Sequence, residues 1–275
     1  MTGRLRVASL LAAIALLAAV SDTEAQRRRG FGFGQSIRMA APDAFDEGFH
    51  FCRVAFRGNR YGDGGGWSVD YPRADINLSI RLSELTHTRV SFAPGGEPNT
   101  LVAELTNESL FQCPFVMMTE VGAAFLTDEE AEALRNYLLK GGFLWADDFW
   151  GSYAWEAWAN EFAKVLPPAQ YPVRDLPPDH AIFRSMFVME KVPQIPSINF
   201  WAGSGGGTSE RGSDSAVPHA RAVIDSRQRI MALFTHNTDI GDSWEREADD
   251  PAYFIAFGVD GYAFAVNVVL YALTH

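Results

Sequence analysis

Between Phe115 and Ala146 two short apolar runs flank one helix whose start and stop are both written in the sequence, and this stretch restricts the fold more than any other. Phe115 to Thr119 (FVMMT) reads as a buried strand. Behind it, Thr127-Asp128-Glu129-Glu130 is a capping box, in which Thr127 and Glu130 satisfy first-turn amides. Ala131, Leu134, Tyr137 and Leu138 then share one helical face, Lys140 sits at the negative end, and Gly141 supplies a left-handed stop. Phe143 to Ala146 follows as an apolar run without alternation, as expected of a strand covered by helices on both faces. Strand, helix, strand in this order predicts a parallel α/β sheet.

The flanking segments extend that pattern. Phe49 to Phe56 reads as a first strand, Gly62 to Gly66 as a flexible loop, and Asp75 to His87 as a helix in which Leu78, Leu82 and Leu85 share a face. A Trp-rich helix is predicted from about Ser152 to Val165, ended by Pro167-Pro168. Residues 172–218 are rich in Pro and Gly and read as an irregular insertion or lid. Ala220 to Ile224 and Arg229 to Thr235 form a hairpin around Asp225 to Gln228, and Ala263, Val266, Leu270 and Leu273 recur at helical spacing near the end. One α/β domain is therefore expected over residues 45–275, with a mostly parallel sheet.

Ahead of it, Val7 to Val20 is an apolar run preceded by Arg4 and Arg6 and followed by Thr23-Glu24-Ala25, the layout of a signal peptide over residues 1–25. Fourteen residues fall short of the ~18 to 20 that span a bilayer. No later segment is expected to be long and apolar enough either. Residues 26–44, with Arg27-Arg28-Arg29 and Gly30 to Gly34, read as a disordered Arg/Gly leader. Cleavage after Ala25 removes two Arg, one Asp and one Glu, leaving 21 basic against 32 acidic residues and the net charge at −11. That balance argues against nucleic acid and anionic lipid as partners. The expected location is exported and periplasmic. There Cys52 and Cys113 admit a disulfide, although two buried thiols is the reading favoured.

Three constellations carry possible chemistry. Asp147 and Asp148 close the central strand where open parallel sheets bind ligands, with Trp150 behind them; a helix cap and a turn explain the pair equally. In HNTDIGDSWE, His236, Asn237, Asp239, Asp242, Trp244 and Glu245 follow the last hairpin strand, and an acidic surface loop is the competing reading. In GWSVDYPRAD, Trp67, Asp70, Tyr71 and Arg73 suit sugar or aromatic recognition, or else a core Trp with structural Arg pairing. Convergence would give catalytic roles to Asp148 and His236 and a divalent metal site to Asp147, Asp239 and Asp242. Hard oxygen ligands with one His suit Mg²⁺, Ca²⁺ or Mn²⁺. Carboxylates so gathered cannot all stay ionised unless Arg53, Arg73, a metal or raised pKa values compensate. The chain has no Gly-x-Ser-x-Gly elbow, no Cys-x-x-Cys, no His-Glu-x-x-His and no phosphate loop.

GWSVDYPRADINLSIRLSEL, LTDEEAEALRNYLLKGGFLWADDFWG, DHAIFRSM, HNTDIGDSWE and NVVLYALTH together resemble the bacterial domain-of-unknown-function family 4159, in order over about residues 48–275. That family is in turn similar to the class I glutamine amidotransferase-like superfamily, including its trehalose-utilisation-type branch. The resemblance implies a flavodoxin-like three-layer α/β fold and an elbow that carries a nucleophilic Cys after the Gly-Gly strand. Here Gly141-Gly142-Phe143-Leu144-Trp145-Ala146 leads instead into Asp147-Asp148, and neither cysteine lies at the elbow, so glutamine hydrolysis is not expected. His236 would stand where the superfamily keeps its late-strand His. The resemblance also implies MoxR-type ATPases and membrane-anchored von Willebrand-type envelope proteins as neighbours. Three functions follow as expectations: an exported domain binding a small polar or glycan ligand, a metal- or carboxylate-dependent hydrolase using Asp147, Asp148 and His236, or a scaffold of such an envelope complex. The exported chain should begin near Gln26 by mass spectrometry; an intact Met1 on membrane-bound material would make the first segment an anchor.

Overall fold

The computed structural model describes residues 37–275, so the signal peptide and most of the leader lie outside the described residues. Strands β1 (Cys52–Ala55) and β2 (Arg57–Gly58) are followed by helix α1 (Arg73–Leu85), β3 (Leu101–Glu104), β4 (Phe115–Thr119), β5 (Ala124–Phe125) and α2 (Asp128–Leu139). Next come β6 (Phe143–Asp147), α3 (Gly151–Val165), β7 (Val173–Asp175), α4 (Ile198–Ser204), β8 (His219–Ile224) and β9 (Ile230–His236). The short α5 (Asp242–Glu245) and α6 (Pro251–Tyr253) precede the closing α7 (Val259–Thr274). The main sheet has seven strands in the order β3-β1-β4-β6-β9-β8-β7. Pairing is parallel from β3 through β9 and antiparallel for β9-β8 and β8-β7.

The central unit forms as its sequence predicts. Thr127 Oγ1 accepts from the Glu130 amide at 3.2 Å, and the Glu130 carboxylate accepts from the Thr127 amide at 2.7 Å, closing the capping box. Gly141 follows at φ +111, a backbone that a Cβ would strain. Ala131, Leu134, Tyr137 and Leu138 are all buried, and Tyr137 donates its hydroxyl proton to the Cys113 carbonyl at 2.8 Å.

Period-2 alternation divides the strands between two apolar layers. Val54, Val116, Met118, Leu144, Ala146 and Phe234 join α2 and α3 on one face. Phe115, Met117, Phe143, Trp145 and Leu233 join α1 and α7 on the other. The result is a mostly parallel sheet between two helical layers, a flavodoxin-like three-layer arrangement.

Several expectations change. Cys52 and Cys113 are not thiols but a disulfide, joining β1 to the residues just before the neighbouring β4 at the amino ends of the strands. Parallel neighbours in register bring the two Cα atoms to 6.1 Å, a separation that local sequence cannot reveal. Residues 38–40, assigned to the leader, pair with the sheet edge: Val102 donates to the Arg38 carbonyl and Ala40 to the Val102 carbonyl, each at 2.8 Å. The segment 172–218 supplies β7 and α4 as well as loops. Pro251–Thr274 is long and apolar enough to cross a membrane by length and composition, contrary to the sequence reading. It is instead packed on the sheet, with Phe264, Val266, Val268 and Val269 fully buried.

The disulfide spans a sequence separation of 61, so it removes much freedom from the unfolded chain. Full reduction should lower the unfolding free energy by about 2 to 4 kcal/mol. Chemical denaturation with and without reductant measures this; an unchanged midpoint would contradict it.

Candidate acidic site at the carboxyl edge of the sheet

Alternation carries Arg53 within β1, and Thr119, Asp147 and Thr235 at or next to the carboxyl ends of β4, β6 and β9, to the face covered by α1 and α7. Arg53 has no solvent exposure and grips Asp75 of α1 through Nε at 3.0 and 3.1 Å. Its Nη1 donates to the Thr119 hydroxyl at 2.9 Å and to the carbonyls of Val69 and Trp67 at 3.2 and 3.3 Å. These bonds fix the turn before α1, in which Asp70 takes the left-handed backbone at φ 63.

Asp147 is fully buried beneath the cleft. It accepts from the Thr235 hydroxyl and from the Gly241 amide at 3.0 Å, so it ties the loop after β9 to the end of β6. Burial pushes its carboxyl up to about 7. Thr235 is positioned by the Trp145 indole, which donates to it at 2.7 Å. The same loop is held from above, where the Asp239 amide donates to the Ile195 carbonyl at 2.8 Å and the Ile195 amide to the Thr238 hydroxyl at 3.0 Å.

Asp148 follows at φ 56, a left-handed residue in the sharp turn from β6 into α3. Asp tolerates that conformation better than most residues. Its Oδ1 accepts from the Trp150 indole at 3.0 Å. Burial raises its pKa well above the carboxylate range, and Glu120, Asp70 and Asp147 add to the shift. Burial likewise raises Asp239, with Asp148 and Asp242 contributing, and raises Asp70 despite the opposing pull of Arg53. Asp70, Asp148, Asp239 and Asp242, joined by Glu120, line a cleft of about 250 Å³ with Phe149 and Trp150 on its wall.

Glu120 escapes sequence reasoning because it stands alone after FVMMT. At φ 51 it turns back and accepts from the amides of Gly65 and Gly66, the latter at 2.9 Å, so the glycine loop is held rather than loose. Burial pushes its carboxyl up to about 7. Across the cleft mouth Arg211 pairs with Asp63 at 3.1 Å.

The other predicted site residues, Asp242 apart, lie elsewhere. His236 ends β9 one residue past Thr235, so alternation turns it to the opposite face. There it packs on Phe149 and Trp155, bonds the Gly151 carbonyl at 2.9 Å and meets Arg221 at 3.1 Å. Asn237 accepts from the Gly151 amide at 2.8 Å and donates to Val217, fastening the start of α3. Trp244 is fully buried against Trp145. Arg73 pairs with Asp249 at 2.7 Å on the surface, and Trp67 and Tyr71 pack on each other in the turn that Arg53 holds. Glu245 pairs with Arg246, and burial pushes its carboxyl up to about 7. Asp242 accepts from the Ile198 amide at 2.8 Å and from Arg246 at 3.4 Å.

A second, larger groove lies at the amino ends of β6 and β9, and its Arg229 is committed to Asp225 and to the Leu138 and Gly142 carbonyls.

Fold and cleft define an α/β domain with a buried acidic site at the carboxyl ends of its parallel strands, the usual ligand position in open sheets of this kind. The chain belongs to the family described as Domain of unknown function (DUF4159), whose model matches residues 51–273. No curated protein matches it.

Burial lowers the His236 pKa to about 4, with Arg221 and His219 adding to the shift. A base depressed in the folded state contributes stability above its unfolded pKa near 6.5, and that contribution is lost as pH falls toward 4. The His236 ring should therefore show no protonation shift by NMR until the pH is below about 5. Titration near 6.5 would mean an exposed ring.

Proposed function

We propose that this domain is an exported ligand-binding module on an amidotransferase-like scaffold, without glutaminase chemistry, and that its acidic cleft takes a small polar ligand of the glycan class. The observation that carries the reading is Asp148 at the elbow. A left-handed residue between a central strand and the helix behind it is where this architecture presents its reactive group, and here that group is a carboxylate facing a Trp-walled cleft. Both cysteines of the chain are joined in a disulfide at the other end of the strands, so no thiolate is at hand as nucleophile. The same disulfide supports export, because such bonds persist in oxidising compartments. Multiple carboxylate acceptors in one cleft suit sugar hydroxyls, which donate from their O–H groups.

A second reading, a carboxylate-driven hydrolase, is favoured by one specific feature. Burial pushes the carboxyls of Asp148 and Asp239 well above the carboxylate range, the direction that favours the protonated form, and a protonated carboxyl can act as a general acid.

Calorimetric titration with N,N′-diacetylchitobiose and with disaccharide-peptides released from peptidoglycan tests the first reading. Saturable heat, weakened at least about tenfold in Trp150→Ala with the circular dichroism unchanged, is the expected result. Absence of heat with every sugar removes the glycan class, and ammonia released from glutamine removes the whole reading. Cleavage of the titrated sugar during the experiment would select the hydrolase.

A further inference from the structure

We propose that Asp70, Asp148 and Asp239 form a binding site for one hard divalent cation, of the Ca²⁺ or Mg²⁺ class, at the base of the cleft. The proposal deepens the reading of this cleft as a ligand site and identifies what first occupies it.

One oxygen from each of the three carboxylates lies within 4.8 Å of the others. Oxygens that far apart or closer can share a Ca²⁺, whose ligands stand about 2.3 to 2.6 Å from the ion. Proximity among acids is weak evidence alone. The independent observation is Asp70 Oδ2, which is buried and has no hydrogen-bond partner, on a side chain only 9% exposed. Buried polar atoms are nearly always satisfied, and an orphaned carboxylate oxygen among other carboxylates lacks a cation or a proton. Its aim is fixed from behind by Arg53, which holds the Val69 and Trp67 carbonyls of the same turn.

A second trio, Asp70, Asp242 and Glu245, shares Asp70 but is already answered. Arg246 lies beside both Asp242 and Glu245, and Asp242 spends its other oxygen on the Ile198 amide. In the first trio, among the described residues, only Asp70 feels a counter-charge, that of Arg53, which is itself paired with Asp75. Asp148 has the Trp150 indole on Oδ1, and Asp239 has the Asp242 amide on Oδ1. Those neutral donors orient the carboxylates without cancelling their charge. The backbone also makes room: a Cβ on Gly241 would stand 3.0 Å from Asp70 Oδ2 and 3.5 Å from Asp239 Oδ1. All the donors are oxygens, and His236 points to the other face, so a hard cation fits better than a thiolate- or imidazole-seeking one. Three protein ligands leave coordination positions toward the cleft, where sugar hydroxyls or water complete the shell.

The test uses the mature protein stripped with a chelator, near neutral pH, with Ca²⁺, Mg²⁺ and Mn²⁺ added separately. One cation should bind per chain by calorimetry. At about a hundred times the dissociation constant, the unfolding midpoint should rise by about 5 to 10 °C. Asp70→Asn and Asp239→Asn should each abolish the rise, whereas Glu132→Gln on the exposed side of α2 should keep it. Mn²⁺ should broaden the Trp150 indole N–H resonance in the unaltered protein, a readout that needs no variant to fold. No heat and no shift with any cation up to about 10 mM would overturn the proposal, since even weak exported sites bind near that range. So would a shift that survives both Asn variants, or broadening that spares Trp150. Because the probe is the cation alone, failure here leaves the sugar titration standing, and failure of the sugars leaves the cation site standing.

Discussion

The buried pair of Arg53 and Asp75 is the interaction on which the rest of this domain turns. Neither side chain reaches water, and the guanidinium spends its remaining donors on Thr119 and on two carbonyls of the turn that precedes α1. A buried pair is a weak source of net stability, because desolvating both charges offsets their attraction. Its value here is placement. It binds the first strand, the next strand in the sheet and the first helix at one point, and it sets where Asp70 stands. Removing one partner would strand the other charge in the interior, which costs on the order of 3 to 5 kcal/mol.

The site built on that frame is electrostatically expensive. Asp70, Asp148 and Asp239 come from loops after three different strands, and each is raised first by burial and then by neighbouring carboxylates: Asp242, Glu245 and Glu120 for Asp70, Glu120 and Asp70 for Asp148, and Asp148, Asp242 and Asp70 for Asp239. The loops do not relax apart because hydrogen bonds to the main chain restrain them. Asp147 draws the 237–241 loop inward through Gly241, Ile195 closes on it from the far side, and Glu120 ties down the glycine turn. Packing and main-chain hydrogen bonds thus hold together what charge alone would separate, a usual mark of a site kept for function rather than for stability.

The elements governed by local chemistry were legible in the sequence. The capping box and Gly141 bound α2, and the apolar runs on either side of it are β4 and β6. Helix α1 begins at Arg73, two residues before the predicted start, because its first turn is set by the Arg53 contacts and not by a capping side chain. The four-residue edge strand β3 is not legible, since LVAE is too short to show a period. In the site, the grouping of Asp148, Asp239 and Asp242 was readable from loops that follow strands. The exclusion of His236 was readable too, by counting: Phe234 faces α3, so residue 236 must as well. Glu120 and the disulfide were not readable, because each depends on which strands lie side by side. Asp147 stands beneath the cleft rather than in it, since it shares the parity of Trp145 and reaches Gly241 from below.

The two margins of the sheet have a further consequence. On one side, Val102 of β3 has both its amide and its carbonyl engaged by residues 38–40 of the same chain. On the other, β7 is three residues long and presents exposed Arg174 and Asp175. Short, charged or covered margins deny a foreign backbone the ladder it would need for cross-chain strand addition. Association with another protein is thereby steered to the helical layers and the loops, and the domain resists the edge-to-edge self-assembly to which open parallel sheets are exposed.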